Sequence, residues 1–239
     1  MAKPPFENPS EIPNVPWSDV VRFIRQFSHV LRNHLNATEL QSVYISELER
    51  DEELKIEIKR LREMVCGLTS VLQSLSRAVS EPEPGFISYG AADFVEHLRK
   101  KIEHDFFRES PQITWDIQLR NAVLNIDPQL LQEAFSELFA NAFRHDRGKG
   151  VLVVTARMDG NEFLFMLEEP KSQFDLCTDN WGRKPLRQIS QGHYGLGLNR
   201  VRAIVETHGG RIHAEYNPKT SVFTTTLALP SSGGPSKDA

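Results

Sequence analysis

His29 is the first residue of this chain whose type and setting allow chemistry. It lies in Phe27-Ser28-His29-Val30-Leu31-Arg32-Asn33-His34-Leu35. At about 100° per residue in a helix, Val20, Ile24 and Leu31 fall within about 60° of Phe27, whereas His29 falls about 200° away. The spacing therefore predicts that His29 faces water, among Arg22, Arg25, Arg32, Asn33 and Asn36. A neutral imidazole is a good nucleophile near pH 7, and one that must meet a phosphoryl donor has to be exposed in this way. The plainer alternative is one polar residue on a polar face. A second group is Glu137 and Asn141, one helical turn apart and so facing the same way, followed by Arg144 and His145. An amphipathic helix with Leu130, Ala134, Leu138 and Ala142 toward a core explains the apolar residues there, but not the polar block. The third group is Gly192-His193-Tyr194-Gly195-Leu196-Gly197-Leu198. Glycines let backbone amides approach phosphates, and a helix that follows directs its N-terminus at the anion.

The elements that must position these residues are legible from composition. Residues 1–16 carry five prolines and no periodicity, and read as a flexible leader. Residues 17–80 contain no proline and read as a helical hairpin turning near Glu49-Arg50-Asp51-Glu52. The second arm has a seam at Leu54, Ile58, Leu61, Val65, Leu68, Leu72 and Leu75, the four-and-three spacing of a bundle. The first arm carries Val20, Ile24, Phe27, Leu31 and Leu35 on one face. One hairpin leaves an apolar stripe uncovered, and each seam side chain left in water forfeits roughly 1.5–3 kcal/mol. A homodimeric four-helix bundle covers the stripe; packing on the second domain of the same chain is the alternative. Residues 81–85, Glu-Pro-Glu-Pro-Gly, read as a linker. Residues 86–230 read as an α+β sandwich, an antiparallel-rich sheet covered by helices on one face. Its expected strands are 86–89, 113–119, 123–126, 150–157, 162–168, 211–216 and 221–229, with helices over 92–107, 128–145 and 197–208. Asp127 is the expected N-cap of the second of these helices, and 170–194 is expected as a long irregular loop. The tail 231–239 reads as disordered.

The segment around His29 resembles the H box of two-component histidine kinases, whose phosphoacceptor sits on the first helix of a dimerisation hairpin. Glu137–His145 looks like the N box of the same family and of its wider group, which includes gyrase-type and chaperone-type ATPases. Gly192–Leu198, with a helix stopped at Thr207-His208-Gly209-Gly210, closely resembles the family's second glycine box. The resemblance implies ATP and Mg²⁺. It assigns His29 as phosphoacceptor and Asn33 to the place of a residue that orients water for phosphatase action. Glu137 would position or activate the attacking group, and Asn141, with Glu137 beside it, would serve the metal. Arg144 and His145 would contact phosphate, and Gly192, Gly195, Gly197 and Leu198 would cradle it. Three departures stand out. Val30 replaces the usual acidic proton acceptor, and His34 replaces a frequent proline. The family's Asp-x-Gly-x-Gly box, whose aspartate holds the adenine amino group, is here Glu169-Pro170-Lys171-Ser172-Gln173. If Glu169, one methylene longer, does not reach, the lost charged hydrogen bond is worth about 1.5–3 kcal/mol, roughly ten- to a hundred-fold in affinity. Lys171 and Gln173 stand where glycines would allow unusual backbone angles. The loop beyond, with Phe174, Trp181 and Arg183-Lys184, reads as a lid over a nucleotide or as what fills the pocket.

Bulk properties limit the choices. The formal charge of −4 gives no basic field for nucleic acid, and no apolar run is long enough to span a bilayer. The leader has no apolar signal-peptide core, so a cytoplasmic location is expected. Cys66 and Cys177 form no metal or redox motif. Three functions are compatible with these residues. The first is an ATP-dependent histidine kinase that passes phosphate from His29 to an aspartate of a response regulator receiver domain. The second is a nucleotide-independent histidine phosphotransferase or pseudokinase adaptor of a phosphorelay, which Val30 and the altered first glycine box favour. The third, a gyrase- or chaperone-type ATPase, leaves the hairpin unexplained. The basic face around His29 suits an acidic receiver domain under either of the first two.

Overall fold

The computed structural model describes residues 15–119, 122–144, 148, 150–174, 178, 181–183 and 195–231, in two compact units that part after Ser80. The first is an α-hairpin, α1 (Trp17–Leu48) and α2 (Glu52–Ala78). The charged turn satisfies the amides exposed at the bend. Glu49 accepts from the N–H groups of Arg50 and Asp51 at 2.7 and 2.8 Å, and Asp51 caps α2 by accepting from Glu53 N–H at 2.9 Å. Within the hairpin, Ser28 and Ser42 are the buried residues of α1, and Val65 is the most buried apolar residue of α2. Of the expected seam residues, Phe27 of α1 and Leu54, Leu61 and Leu68 of α2 are exposed within the single hairpin. Phe27 is 48% exposed and stacks on Phe23, whereas Ser28, one residue on, is buried.

The second unit is built on a five-stranded sheet of order β2-β4-β5-β7-β6: β2 (Ile113–Gln118), β4 (Leu152–Asp159), β5 (Glu162–Pro170), β7 (Val222–Pro230) and β6 (Arg211–Asn217). β2 and β4 run parallel, and the other neighbours antiparallel. β1 (Ile87–Gly90) and β3 (Val123–Ile126) form a separate antiparallel ladder rather than joining the main sheet. On β5 burial alternates with the period-2 pleat, so Phe163, Phe165 and Leu167 point into the core. There they meet α3 (Ala91–Asp105), α4 (Pro128–Arg144) and α5 (Gly197–Thr207). Phe135 of α4 lies edge-on to Phe165 at 4.4 Å, with Phe94 of α3 behind it at 5.7 Å. The buried stripe of α4 is wider than expected and shifted by one residue. Leu131, Phe135 and Phe139 join Ala134, Leu138 and Ala142, while Leu130 is half-buried.

The start of α4 is fixed by Asp127. Its carboxylate accepts from the N–H groups of Gln129, Leu130 and Gly85 at 2.9, 3.0 and 2.9 Å. Its own N–H donates to Nε2 of the buried His208 at 3.0 Å. Since Nε2 accepts, the ring proton sits on Nδ1, which donates to the Ile204 carbonyl at 2.7 Å. The end of α5 is thereby tied to the start of α4.

Candidate functional site

In the hairpin, His29 and Asn33 are both exposed on α1, one turn apart, as the helical wheel predicts. Val30 is exposed beside them and carries no group able to take a proton.

In the second unit, α4 and α5 meet at a polar cluster. Asn141 Nδ2 donates to Glu137 Oε1 at 3.3 Å, so the two face one another across a single turn. Glu137 in turn lies against the first residue of α5. A Cβ added to Gly197 would stand 2.0 Å from Glu137 Oε1 and 2.6 Å from its Cδ, so no other residue type leaves the carboxylate where it is. Gly195, two residues earlier, has φ 63°, a left-handed turn that brings the chain into the helix. The carboxylate thus sits at the amino end of a helix, where unpaired N–H groups and the dipole favour negative charge. Arg200 of α5 adds a second tie, donating from Nε to Glu133 of α4 at 3.1 Å. Of the remaining candidates, Leu198 lies half-buried on the first turn of α5 and Arg144 is exposed at the end of α4. His145 and Gly192 lie outside the described residues.

This cluster fits a metal-bound phosphate in donor chemistry. With its Nδ2 turned to Glu137, Asn141 keeps its amide oxygen for a cation, and Glu137 adds a carboxylate. Among the described residues no three His, Cys, Asp or Glu side chains converge on a metal position. A magnesium ion here would share its shell with phosphate oxygens and water, the usual arrangement for that ion.

The end of β5 does not follow the expected pattern. Glu169 lies on the core face of β5, its side chain 8% exposed, and Lys171 brings its ammonium to 3.1 Å from Glu169 Oε2 with a side chain 6% exposed. The segment is held from three sides. Pro170 O accepts from Gly148 N–H at 2.8 Å, Lys171 N–H donates to Ser221 O at 2.9 Å, and Tyr216 Oη donates to Lys171 O at 3.2 Å. Neither Lys171 nor Gln173 has a positive φ; among the described non-glycine residues Ser221 alone does, at 54°. The backbone therefore has no need of glycine where glycines were expected. Phe223 pairs opposite Glu169 in the register. Phe174 packs on it at 4.4 Å and Trp181 at 5.0 Å, with Tyr216 at 5.8 Å from Phe174. The described part of the loop is bolted to α5: Arg202 Nε donates to Trp181 O at 2.8 Å and Asn199 Nδ2 to Gly182 O at 3.2 Å. Arg202 was not singled out from sequence, and Lys171 only as standing in place of a glycine. The i, i+2 spacing of Glu169 and Lys171 along an extended chain was the available signal, since it puts both on one face.

The comparisons with known proteins agree with this architecture. Residues 126–231 match the family of histidine kinase-, DNA gyrase B-, and HSP90-like ATPases. The sensor protein kinase WalK of Staphylococcus aureus is 27% identical over 222 residues, covering 85% of this chain and 52% of the relative. The sensor histidine kinase HprS of Escherichia coli (strain K12) is 28% identical over 144 residues, covering 54% of this chain and 30% of the relative. The chain therefore spans about half the length, or less, of these curated relatives. Among solved structures, full-length ShkA in complex with AMPPNP aligns with TM-score 0.64 at 17% identity, over 88% of this chain and 46% of that one. The Acinetobacter baumannii histidine kinase AdeS aligns with TM-score 0.51 at 18% identity, over 86% of this chain and 97% of that one.

Proposed function

We propose that this chain, built as a histidine kinase core with residues 126–231 belonging to the histidine kinase-, DNA gyrase B-, and HSP90-like ATPase family, acts as a homodimeric protein-histidine kinase of a two-component pathway. The observation that carries the reading is the contact of Glu137 with Asn141 and Gly197, which joins two of the three sequence motifs in one cluster. In this reading ATP·Mg²⁺ lies with its phosphates against Asn141, Gly195 and Gly197, with Arg144, His145, Gly192 and Leu198 contributing around them. The exposed imidazole of His29 takes the γ-phosphoryl group. An N–P bond forms, the P–O bond to ADP breaks, and the ring proton leaves to water, because Val30 offers no base. The phosphoryl group then moves to an aspartate of a receiver domain, which meets the basic face around His29, and Asn33 supports hydrolysis of the product. Among the described residues no helix is long and apolar enough to cross a membrane, in keeping with a cytoplasmic site of action. Incubation with γ-labelled ATP and Mg²⁺ tests the kinase step. Acid-labile label is expected on the wild type and lost in His29→Ala and in Asn141→Asp.

The buried Glu169–Lys171 pair favours a second reading, a nucleotide-independent phosphotransferase that exchanges phosphoryl groups between receivers through His29. In that case His29 becomes labelled from a phosphorylated receiver and not from ATP.

A further inference from the structure

We propose that Lys171 is a specificity-determining residue at the end of β5, where the family resemblance puts the base, a built-in cation that takes the acceptor a purine 6-amino group needs, so that nucleotides bind weakly and without preference for adenine. The inference rests on the reading of the Glu137–Asn141–Gly197 cluster as a phosphate site. It concerns the opposite end, where the residues do not fit an adenine nucleotide as the family resemblance leads one to expect.

Three observations carry it. The first is the pair itself. Both side chains are almost fully buried and 3.1 Å apart. A buried carboxylate is stable only with compensating donors, and here Lys171 supplies one. The ammonium is donor-only, so it opposes an incoming amino group and suits a 6-oxo acceptor. The second is that Lys171 is not loosely placed. The hydrogen bonds of its N–H to Ser221 and of its carbonyl to Tyr216, and that of Pro170 to Gly148, fix the backbone from which it reaches Glu169. The third is the aromatic cluster on the same side of the sheet. Phe223 stands opposite Glu169 on the next strand, and Phe174 and Trp181 pack on Phe223. Arg202 and Asn199 hold the backbone of Trp181 and Gly182 to α5. A base that enters must displace Lys171 from Glu169 and part these rings. The phosphate end requires neither change, so the polyphosphate supplies most of the affinity.

Calorimetry on the full chain tests this with MgADP, MgIDP and magnesium tripolyphosphate. IDP differs from ADP in carrying a 6-oxo group in place of the 6-amino group. Wild-type protein is expected to bind MgADP no more than about threefold tighter than MgIDP. Lys171→Met, which keeps the length and removes the charge, should bind MgADP roughly ten- to a hundred-fold tighter than wild type, the range of one charged hydrogen bond. Its affinity for tripolyphosphate should not change. Wild-type protein that prefers MgADP over MgIDP tenfold or more overturns the proposal and leaves the phosphate site standing. So does Lys171→Met protein that is folded and gains no affinity for MgADP. Should that variant not fold, the wild-type ratio decides alone. Binding of none of the three ligands by wild type or variant overturns the phosphate-site reading, and this inference with it.

Discussion

At the scale of the residue, the site depends on what a single hydrogen atom permits. Gly197 leaves Glu137 in place only because it has no Cβ. In Gly197→Ala the clashing atoms belong to a side chain that can swing aside, so stability should fall by less than about 1 kcal/mol, below the usual cost of overpacking a core. The carboxylate must move, however, and labelling of His29 from ATP should fall at least about tenfold, one factor of ten in rate being about 1.4 kcal/mol. A large loss of stability with unchanged labelling would contradict the arrangement. Asp127 gives a prediction of the other kind. Burial alone would raise its carboxyl, but the N–H donors of Leu130, Gly85 and Gln129 outweigh it and hold the carboxyl below its ordinary range. A depressed carboxyl contributes stability that is present above the unfolded pKa and lost as pH falls through the folded one. Asp127→Ala should therefore cost about 1–2 kcal/mol near neutral pH. That difference should shrink once pH falls below about 4, as read from urea midpoints against pH.

At the scale of the element, the hairpin's apolar face divides into two parts. Ile58 and Leu72, half-buried, and the buried Val65 turn toward α1, whereas Leu54, Leu61, Met64, Leu68 and Val71 remain exposed, joined on α1 by Phe23, Phe27 and Val30. The stripe recurs at three, four and seven residues, as a second hairpin requires for knobs-into-holes packing. Leu61→Asp with Leu68→Asp should shift the protein from dimer to monomer in sedimentation equilibrium. The cost is at least about 3 kcal/mol per dimer, because each change enters the interface twice. A dimer unaffected by the pair would place its contact elsewhere. The seam was legible because heptad spacing repeats over the whole of α2, and α4 was legible from its cap and its period. The inner and outer halves of the seam were not legible, since heptad spacing marks both alike and only the packing separates the exposed Phe27 from the buried Ser28. The separate β1–β3 ladder was hidden for a related reason: short strands carry no mark of their partner, and pairing is fixed by tertiary contacts. The far end of β5 was misjudged because Lys171 looked like a substitute for a flexible glycine, when its meaning lies in the buried carboxylate two residues before it.

At the scale of the whole molecule, one unit presents an exposed histidine and the other a polar cluster between α4 and α5, and phosphoryl transfer would connect them. The motifs that signalled both were spread through the sequence in the order of a known family, which is why the family resemblance was more legible than the altered end of β5. Under the proposed function, Glu169 and Lys171 bear on which donor would load His29. The most direct test is therefore to offer both donors. Folded, dimeric protein is incubated with γ-labelled ATP and Mg²⁺, and separately with a radiolabelled, phosphorylated receiver domain, and the labelled residue is located by mass spectrometry. Acid-labile phosphohistidine at His29 with at least one donor, absent in His29→Ala, is the predicted result. No label at His29 from either donor would contradict the account.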